Sequence, residues 1–132
     1  MLRPALLLVG TAAVASAVDL AHKASTGAAH FHGRSVGYIA FVLVLSAVWA
    51  AAIVLTRSPA IALGGGVVAG GAVGNVLSLA FWPGVPNPIA VSAVAFNLAD
   101  LFVAVGFVFV ACTALGLTLT GDERLREPIR LR

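Results

Sequence analysis

Phe96-Asn97-Leu98-Ala99-Asp100 places an amide and a carboxylate at the start of a long apolar run that reaches Leu119. An ionisable side chain at membrane depth is costly, so its presence there indicates a functional site. The alternative is that Asp100 caps the N-terminus of a transmembrane helix, where the helix dipole favours a carboxylate. Position alone leaves both roles open.

The composition of the chain defines its class. Of its 132 residues, 61% are hydrophobic and only 10% are charged, and the mean hydropathy is +1.06. Such a composition indicates an integral membrane protein, folded as helix packed on helix. The net charge of +3 does not indicate nucleic-acid binding, because the basic residues lie near segment ends rather than on one face. Cys112 is the only cysteine and is interpreted as a small core residue.

Four apolar segments predict an all-α bundle of four transmembrane helices, at about 3–20, 36–56, 60–81 and 96–119. They form one domain over residues 1–120, followed by a charged cytoplasmic tail at 121–132. Ala15-Ser16-Ala17 also resembles the cleavage site of a signal peptide. We favour a retained first helix, because the sequence starts at Met1 and because Asp19 lies where it can join the polar residues of the other helices.

Two connections between these segments contain residues that break helices or favour solvent. The loop at 24–35 and its flank hold three histidines, His22, His30 and His32. Since no carboxylate or cysteine stands at ligand spacing, we expect a solvated loop and no metal. The second connection, Trp82–Pro88, contains three prolines and a glycine and cannot continue a helix. We expect an extended or interfacial segment at about 89–95.

The third apolar segment repeats a small residue at every fourth position, forming a ridge of Ala62, Gly66, Gly70, Gly74 and Ser78. Such a ridge lets helix backbones approach closely in lipid.

Positive charges set the orientation of the bundle in the membrane. Arg3, Arg57 and four tail arginines would share one side, against Lys23 and Arg34 on the other. The positive-inside rule therefore predicts that both termini are cytoplasmic, N-in and C-in.

This topology brings polar residues of three helices to one depth, near the outer leaflet. Asp19 follows the first segment, Asn75 lies near the outer end of the third, and Asn97 and Asp100 open the fourth. Asn97 and Asp100 are three residues apart and share one helical face. We predict that these side chains form one site.

Three stretches resemble the motifs of the lipoprotein signal peptidase family, signal peptidase II. They are Asp19-Leu20-Ala21-His22-Lys23, Gly71-Ala72-Val73-Gly74-Asn75 and Phe96-Asn97-Leu98-Ala99-Asp100. The last stretch matches the family pattern without a change. The resemblance implies a four-helix aspartic peptidase of the bacterial inner membrane, which removes signal peptides from diacylglyceryl-modified prolipoproteins. It also implies that Asp100 is one member of the catalytic aspartate pair.

The chain departs from the family pattern at the other member of that pair. Ser78 and Leu79 replace an Asp-Arg that follows the Gly-Asn motif, and Val85-Pro86-Asn87-Pro88 places Asn87 where the resemblance implies the second catalytic aspartate. An aspartic peptidase needs two carboxylates that share one proton, and an amide does not titrate. Only Asp19 remains on the outer side as a substitute, and the family uses that position for structure.

Three functions therefore remain open. The first, which we favour, is a pseudo-peptidase that binds lipid or a lipoprotein signal helix, with Asp100 at the remaining catalytic position and no cofactor or metal. Its binding residues would be Asp19, Lys23, Asn75 and Asn97. The second is a working peptidase, including one with a rewired Asp19/Asp100 pair. The third is an accessory subunit whose glycine ridge packs against a partner membrane protein.

Overall fold

The computed structural model describes residues 2–121 and contains four helices and four short strands. The helices are α1 (Leu2–Thr26), α2 (Val36–Leu55), α3 (Pro59–Ser78) and α4 (Leu98–Leu119). All four are long and apolar enough to cross a membrane, which confirms the predicted four-helix membrane architecture. The charged tail predicted beyond residue 121 lies outside the described residues.

Local capping fixes where α2 and α3 begin. The Ser35 hydroxyl accepts the backbone N–H of Tyr38, and the Ser58 hydroxyl accepts that of Ile61. Each bond satisfies an N–H group that has no partner within its own helix. Arg57 has a φ of 56°, a left-handed conformation that reverses the chain between α2 and α3.

Helix α3 is the centre of the bundle. Half of its most apolar stretch is buried, compared with 6% for α2 and for α4. The small-residue ridge of α3 faces α1 of the same chain. A Cβ on Gly66 would lie 2.6 Å from the Leu8 carbonyl oxygen, and one on Gly70 would lie 2.6 Å from that of Ala12. The ridge therefore packs against α1 of the same chain, and its packing against a partner membrane protein stays a prediction.

A second set of glycines brings α3 against α4. A Cβ on Gly71 would lie 2.5 Å from the carbonyl oxygen of Ala99, and one on Gly106 would lie 3.0 Å from that of Gly64. Helix α3 thus contacts α1 and α4 at backbone distance on two of its faces. Helix α2 packs over α3 mainly through larger side chains, including Ile53 against Gly65.

Two small antiparallel sheets cover one end of the bundle, which we call the site end. Strands β1 (His30–His32) and β2 (Val85–Asn87) form the first sheet. Strands β3 (Ile89–Val91) and β4 (Val94–Phe96) form a hairpin, which confirms the extended segment predicted at 89–95. The all-α prediction did not include the first sheet, because it pairs two segments that are far apart in sequence.

The helix boundaries differ from the predicted ones at the site end. Helix α1 continues to Thr26 rather than residue 20, because Asp19 and Lys23 are satisfied inside the bundle rather than in solvent. Helix α3 ends at Ser78 rather than residue 81. Helix α4 begins at Leu98, with Asn97 as its N-cap.

Candidate functional site

A fully buried ion pair on α1 forms the inner part of the polar cluster. Asp19 and Lys23 are one helical turn apart, both side chains are 0% exposed, and Lys23 Nζ lies 2.6 Å from Asp19 Oδ2. Lys23 Nζ also donates to Asn75 Oδ1 at 2.8 Å and to Ser78 Oγ at 2.9 Å. All three ammonium hydrogens therefore have acceptors, which is the condition for burying a lysine in apolar surroundings.

The second carboxylate oxygen of Asp19 is used by α4. Asp19 Oδ1 accepts the backbone N–H of Ala99 at 3.0 Å, in the first turn of that helix, where the dipole favours a negative charge. Gly74 leaves the space for this arrangement, since a Cβ there would lie 3.0 Å from Asp19 Oδ2. Asp19 thus joins α1, α3 and α4, and neither of its oxygens is free to share a proton with Asp100.

Asp100 lies at the exposed edge of the cluster. Its Oδ2 accepts the backbone N–H of Asn97 at 3.1 Å, and its own backbone N–H donates to Asn97 Oδ1 at 3.1 Å. This reciprocal pair is a capping box that closes the N-terminus of α4. Asp100 Oδ1 accepts from Asn75 Nδ2 at 3.2 Å. Both roles considered from the sequence, helix cap and member of a polar site, are therefore present.

Asn97 connects the cap to the rest of the cluster and is fully buried. Because its Oδ1 accepts a backbone N–H, its Nδ2 is the donor side of the amide. Nδ2 lies 2.7 Å from Asn87 Oδ1, 3.0 Å from Asn75 Oδ1 and 3.2 Å from the Pro86 carbonyl oxygen. One side chain thereby holds α4, α3 and β2 together.

The orientation of Asn97 determines that of Asn87. Since Asn87 Oδ1 accepts from Asn97, its Nδ2 faces His32 Nδ1 at 2.6 Å and the Ala95 carbonyl oxygen at 3.2 Å. A carbonyl oxygen only accepts hydrogen bonds, so Nδ2 is the group required there. His32 Nδ1 is then an acceptor, and a neutral His32 ring carries its proton on Nε2. The surroundings of Asn87 are complementary to an amide rather than to a carboxylate.

The structure brings all of the predicted site residues together and adds two more. Asp19, Lys23, Asn75, Asn97 and Asp100 form one hydrogen-bonded cluster, which Asn87 joins through Asn97. The added residues are Ser78, bound to Lys23, and His32, which the sequence analysis placed in a solvated loop. His32 reaches Asn87 only because β1 pairs with β2, and no local sequence signal predicts that pairing.

An apolar groove lies directly below the exposed side of the cluster, with a volume of about 330 Å³. It runs between α2 and α4 over α3. Its lining includes Ala72, one turn below Asn75, and Val103, one turn below Asp100. Trp49 and Phe107 line the same groove. The arrangement can therefore hold an apolar group in the groove while polar atoms of the same ligand face Asn75 and Asp100.

Comparison with protein families gives one match, to the signal peptidase (SPase) II family, over residues 6–116. This match covers most of the chain, and the chain belongs to the signal peptidase II family. Comparisons with curated proteins and with solved structures found no match. Family membership agrees with the four membrane-spanning helices and confirms the resemblance drawn from the three sequence motifs.

Proposed function

We propose that this chain is a catalytically silent member of the signal peptidase II family, which binds the lipid-modified signal segment of a lipoprotein without cutting it. The carrying observation is the environment of Asn87, whose amide is matched by an acceptor or a donor on each side. A second carboxylate is missing at the position where the family resemblance implies one. The proposed location is the cytoplasmic membrane of a bacterium.

No other described carboxylate replaces it. Between residues 2 and 121 the only acidic residues are Asp19 and Asp100. Asp19 is buried in its ion pair with Lys23, and its other oxygen holds the first turn of α4. Sharing a proton with Asp100 would break one of these contacts and leave a buried charge without its partner, at a cost of about 3–5 kcal/mol.

Deamidation does not supply the missing carboxylate either. The usual route closes a ring through attack of the following backbone nitrogen on the asparagine side chain. The residue that follows Asn87 is Pro88, which has no backbone N–H to make this attack. The amide at position 87 is therefore chemically persistent as well as hydrogen-bonded.

The features that would bind a ligand are retained. Asp100 is exposed beside the half-buried Asn75, and the apolar groove begins one helical turn below both. A ligand with an apolar segment and a polar junction would place the segment in the groove and the junction at these two side chains. This division of roles supports binding, which needs no second titrating group.

The test is a binding measurement on the purified chain in lipid nanodiscs, using a fluorescent diacylglyceryl-modified prolipoprotein peptide. Saturable binding is expected for the unmodified chain. Asp100→Ala is expected to weaken it about tenfold, the loss of roughly 1.4 kcal/mol. The control is Thr118→Ala, an exposed position at the far end of α4. Absence of saturable binding, or equal binding by both variants, would contradict the proposal.

A further inference from the structure

An aromatic bridge closes the lower end of the groove below Asp100. The rings of Trp49 on α2 and Phe107 on α4 are stacked, with centroids 5.8 Å apart and an interplanar angle of 21°. Trp49 is held in place because its Nε1 donates to the carbonyl oxygen of Gly65 on α3 at 3.1 Å. The bridge therefore joins three helices at one level, and an apolar group in the groove meets it from above.

The bridge lies at a defined depth. Phe107 follows Asp100 by seven residues on α4, which corresponds to about 10 Å along the helix. One leaflet of the hydrocarbon core is about 15 Å thick. A chain that enters beside Asp100 thus meets the bridge after roughly two thirds of a leaflet, and a longer chain must leave the groove sideways into the bilayer.

The volume of the groove favours an acyl chain over a helix as its occupant. A helix is about 10 Å across with its side chains. The groove is a cavity of about 330 Å³, and side chains of α2 and α4 line its two sides. A single acyl chain is narrower than a helix and would lie between α2 and α4, over Ala72 of α3.

We propose that Trp49 and Phe107 form the floor of an acyl-chain site and set the length of chain that the site prefers. The occupant is one acyl chain of the diacylglyceryl group on the ligand, with the glyceryl group beside Asn75 and Asp100. This inference rests on the proposed function and adds a specificity determinant to it. The preferred chain is shorter than one leaflet.

Trp49 itself reports on occupancy. The chain has two tryptophans, Trp49 and Trp82, so Trp82→Phe leaves Trp49, in the floor of the groove, as the single tryptophan. The probes are diacylglyceryl-cysteine peptides with acyl chains of about 8, 12 and 16 carbons, which range from half to all of a leaflet. Each is brominated about 10 Å along the chain, the distance from Asp100 to Phe107, so that a bound chain quenches Trp49.

The expected result is saturable quenching whose half-saturation is about tenfold lower for the shortest chain than for the longest. Phe107→Ala should abolish this preference, because the chain then passes the level of the bridge. Phe107 is 56% exposed, so its truncation leaves most of the packing intact. The matched control is Phe41→Ala on α2, 63% exposed and outside the groove lining, which should keep the preference.

A substitution that fills the groove tests the same site by blocking it. Ala72→Leu should remove the saturable quenching, whereas Ala51→Leu, at an exposed position of α2, should leave it unchanged. Quenching of Trp49 that rises linearly with probe concentration, and is the same in Ala72→Leu, would show that the probe reaches Trp49 from the bilayer without entering the groove. That result would overturn the inference. The same length profile with brominated phosphatidylglycerol would also overturn it, since the groove would then take any glycerolipid.

The inference and the proposed function fail in different ways. Cleavage of a prolipoprotein by the chain would overturn the proposed function and leave the chain-length preference standing. Saturable binding of the peptide without any length preference would support the proposed function and overturn the role of Trp49 and Phe107.

Discussion

The two carboxylates of the cluster stand in opposite surroundings. Asp19 is 0% exposed, paired with Lys23, and bound through its other oxygen to α4. Asp100 is exposed, and its oxygens accept from the backbone of Asn97 and the amide of Asn75. Both side chains help to hold the N-terminus of α4, yet only Asp100 lies where a ligand can reach it.

This difference separates two halves of the site. The structural half is Asp19 and Lys23 with their partners, and the ligand-facing half is Asp100 with Asn75 and the nearby Asn87. The structural half is complete, because the Lys23 ammonium group and both carboxylate oxygens of Asp19 have partners. The ligand-facing half has one carboxylate and an amide at position 87. Substitutions in the first half should therefore change the free energy of unfolding, and those in the second should mainly change binding or chemistry.

The largest expected effect comes from breaking the buried ion pair. Lys23→Met leaves the Asp19 charge buried without its partner and removes donors from Asn75 and Ser78. We expect a loss of about 3–5 kcal/mol in the free energy of unfolding, measured by denaturant titration in detergent micelles. The double variant Asp19→Asn with Lys23→Met removes both charges and should recover part of that loss. Equal losses in both variants would contradict the role of the charge pair.

The next effect tests the contact between α1 and α3 that holds this pair in place. Gly70→Ala puts a methyl group 2.6 Å from the Ala12 carbonyl oxygen, and such overpacking costs about 1–3 kcal/mol. Gly116→Ala is the control, since nothing lies within 4 Å of a Cβ there. That variant should be neutral or slightly stabilised, because alanine favours a helix. A stable Gly70→Ala protein would show that the two helices are not at backbone distance.

Asn87→Asp tests whether the surroundings of residue 87 fit an amide better than a carboxylate. A carboxylate oxygen would then face the Ala95 carbonyl oxygen in place of an N–H donor, at a cost of about 1–3 kcal/mol. Thermal unfolding should show a lower midpoint for this variant than for the unmodified chain. A higher midpoint would mean that the site is built for a carboxylate, and would weaken the case that the amide is an adapted feature.

The smallest effect on stability is expected for Asp100→Asn. The amide oxygen keeps the bond from the Asn97 backbone N–H. The change loses the attraction between charge and helix dipole, about 0.3–1 kcal/mol, and the hydrogen bond from Asn75 Nδ2, which lies at the exposed edge of the cluster. The same denaturant titration should therefore separate it clearly from Lys23→Met. A loss as large as that of Lys23→Met would show that the two carboxylates are not as different as their exposure indicates.

The sequence predicted what depends on local pattern. Apolar length predicted the four helices. The Asn97–Asp100 spacing brought the two side chains together at the start of α4, although Asn97 is the N-cap rather than part of a helical face. The four-residue repeat correctly predicted close backbone packing, but a ridge of small residues does not specify which helix it meets, and here it meets α1. The same limit explains Asp19, whose burial depends on α3 and α4 rather than on its neighbours in sequence.

The features that the sequence did not predict depend on contacts between residues far apart in the chain. His32 and Asn87 are 55 residues apart and meet through a strand pair that has three residues on each side. Strands this short have no detectable alternation of polar and apolar residues. The aromatic floor of the groove has the same origin, because Trp49 and Phe107 lie on helices that are not consecutive.

The central claim is tested most directly by a gel-shift cleavage assay. The purified chain is incubated with a diacylglyceryl-modified prolipoprotein, in parallel with Asp100→Asn and Asn87→Asp. We predict no cleavage by the unmodified chain or Asp100→Asn, and some cleavage by Asn87→Asp, which restores two carboxylates beside an intact groove. Cleavage by the unmodified chain that is lost in Asp100→Asn would contradict the account and identify a working peptidase.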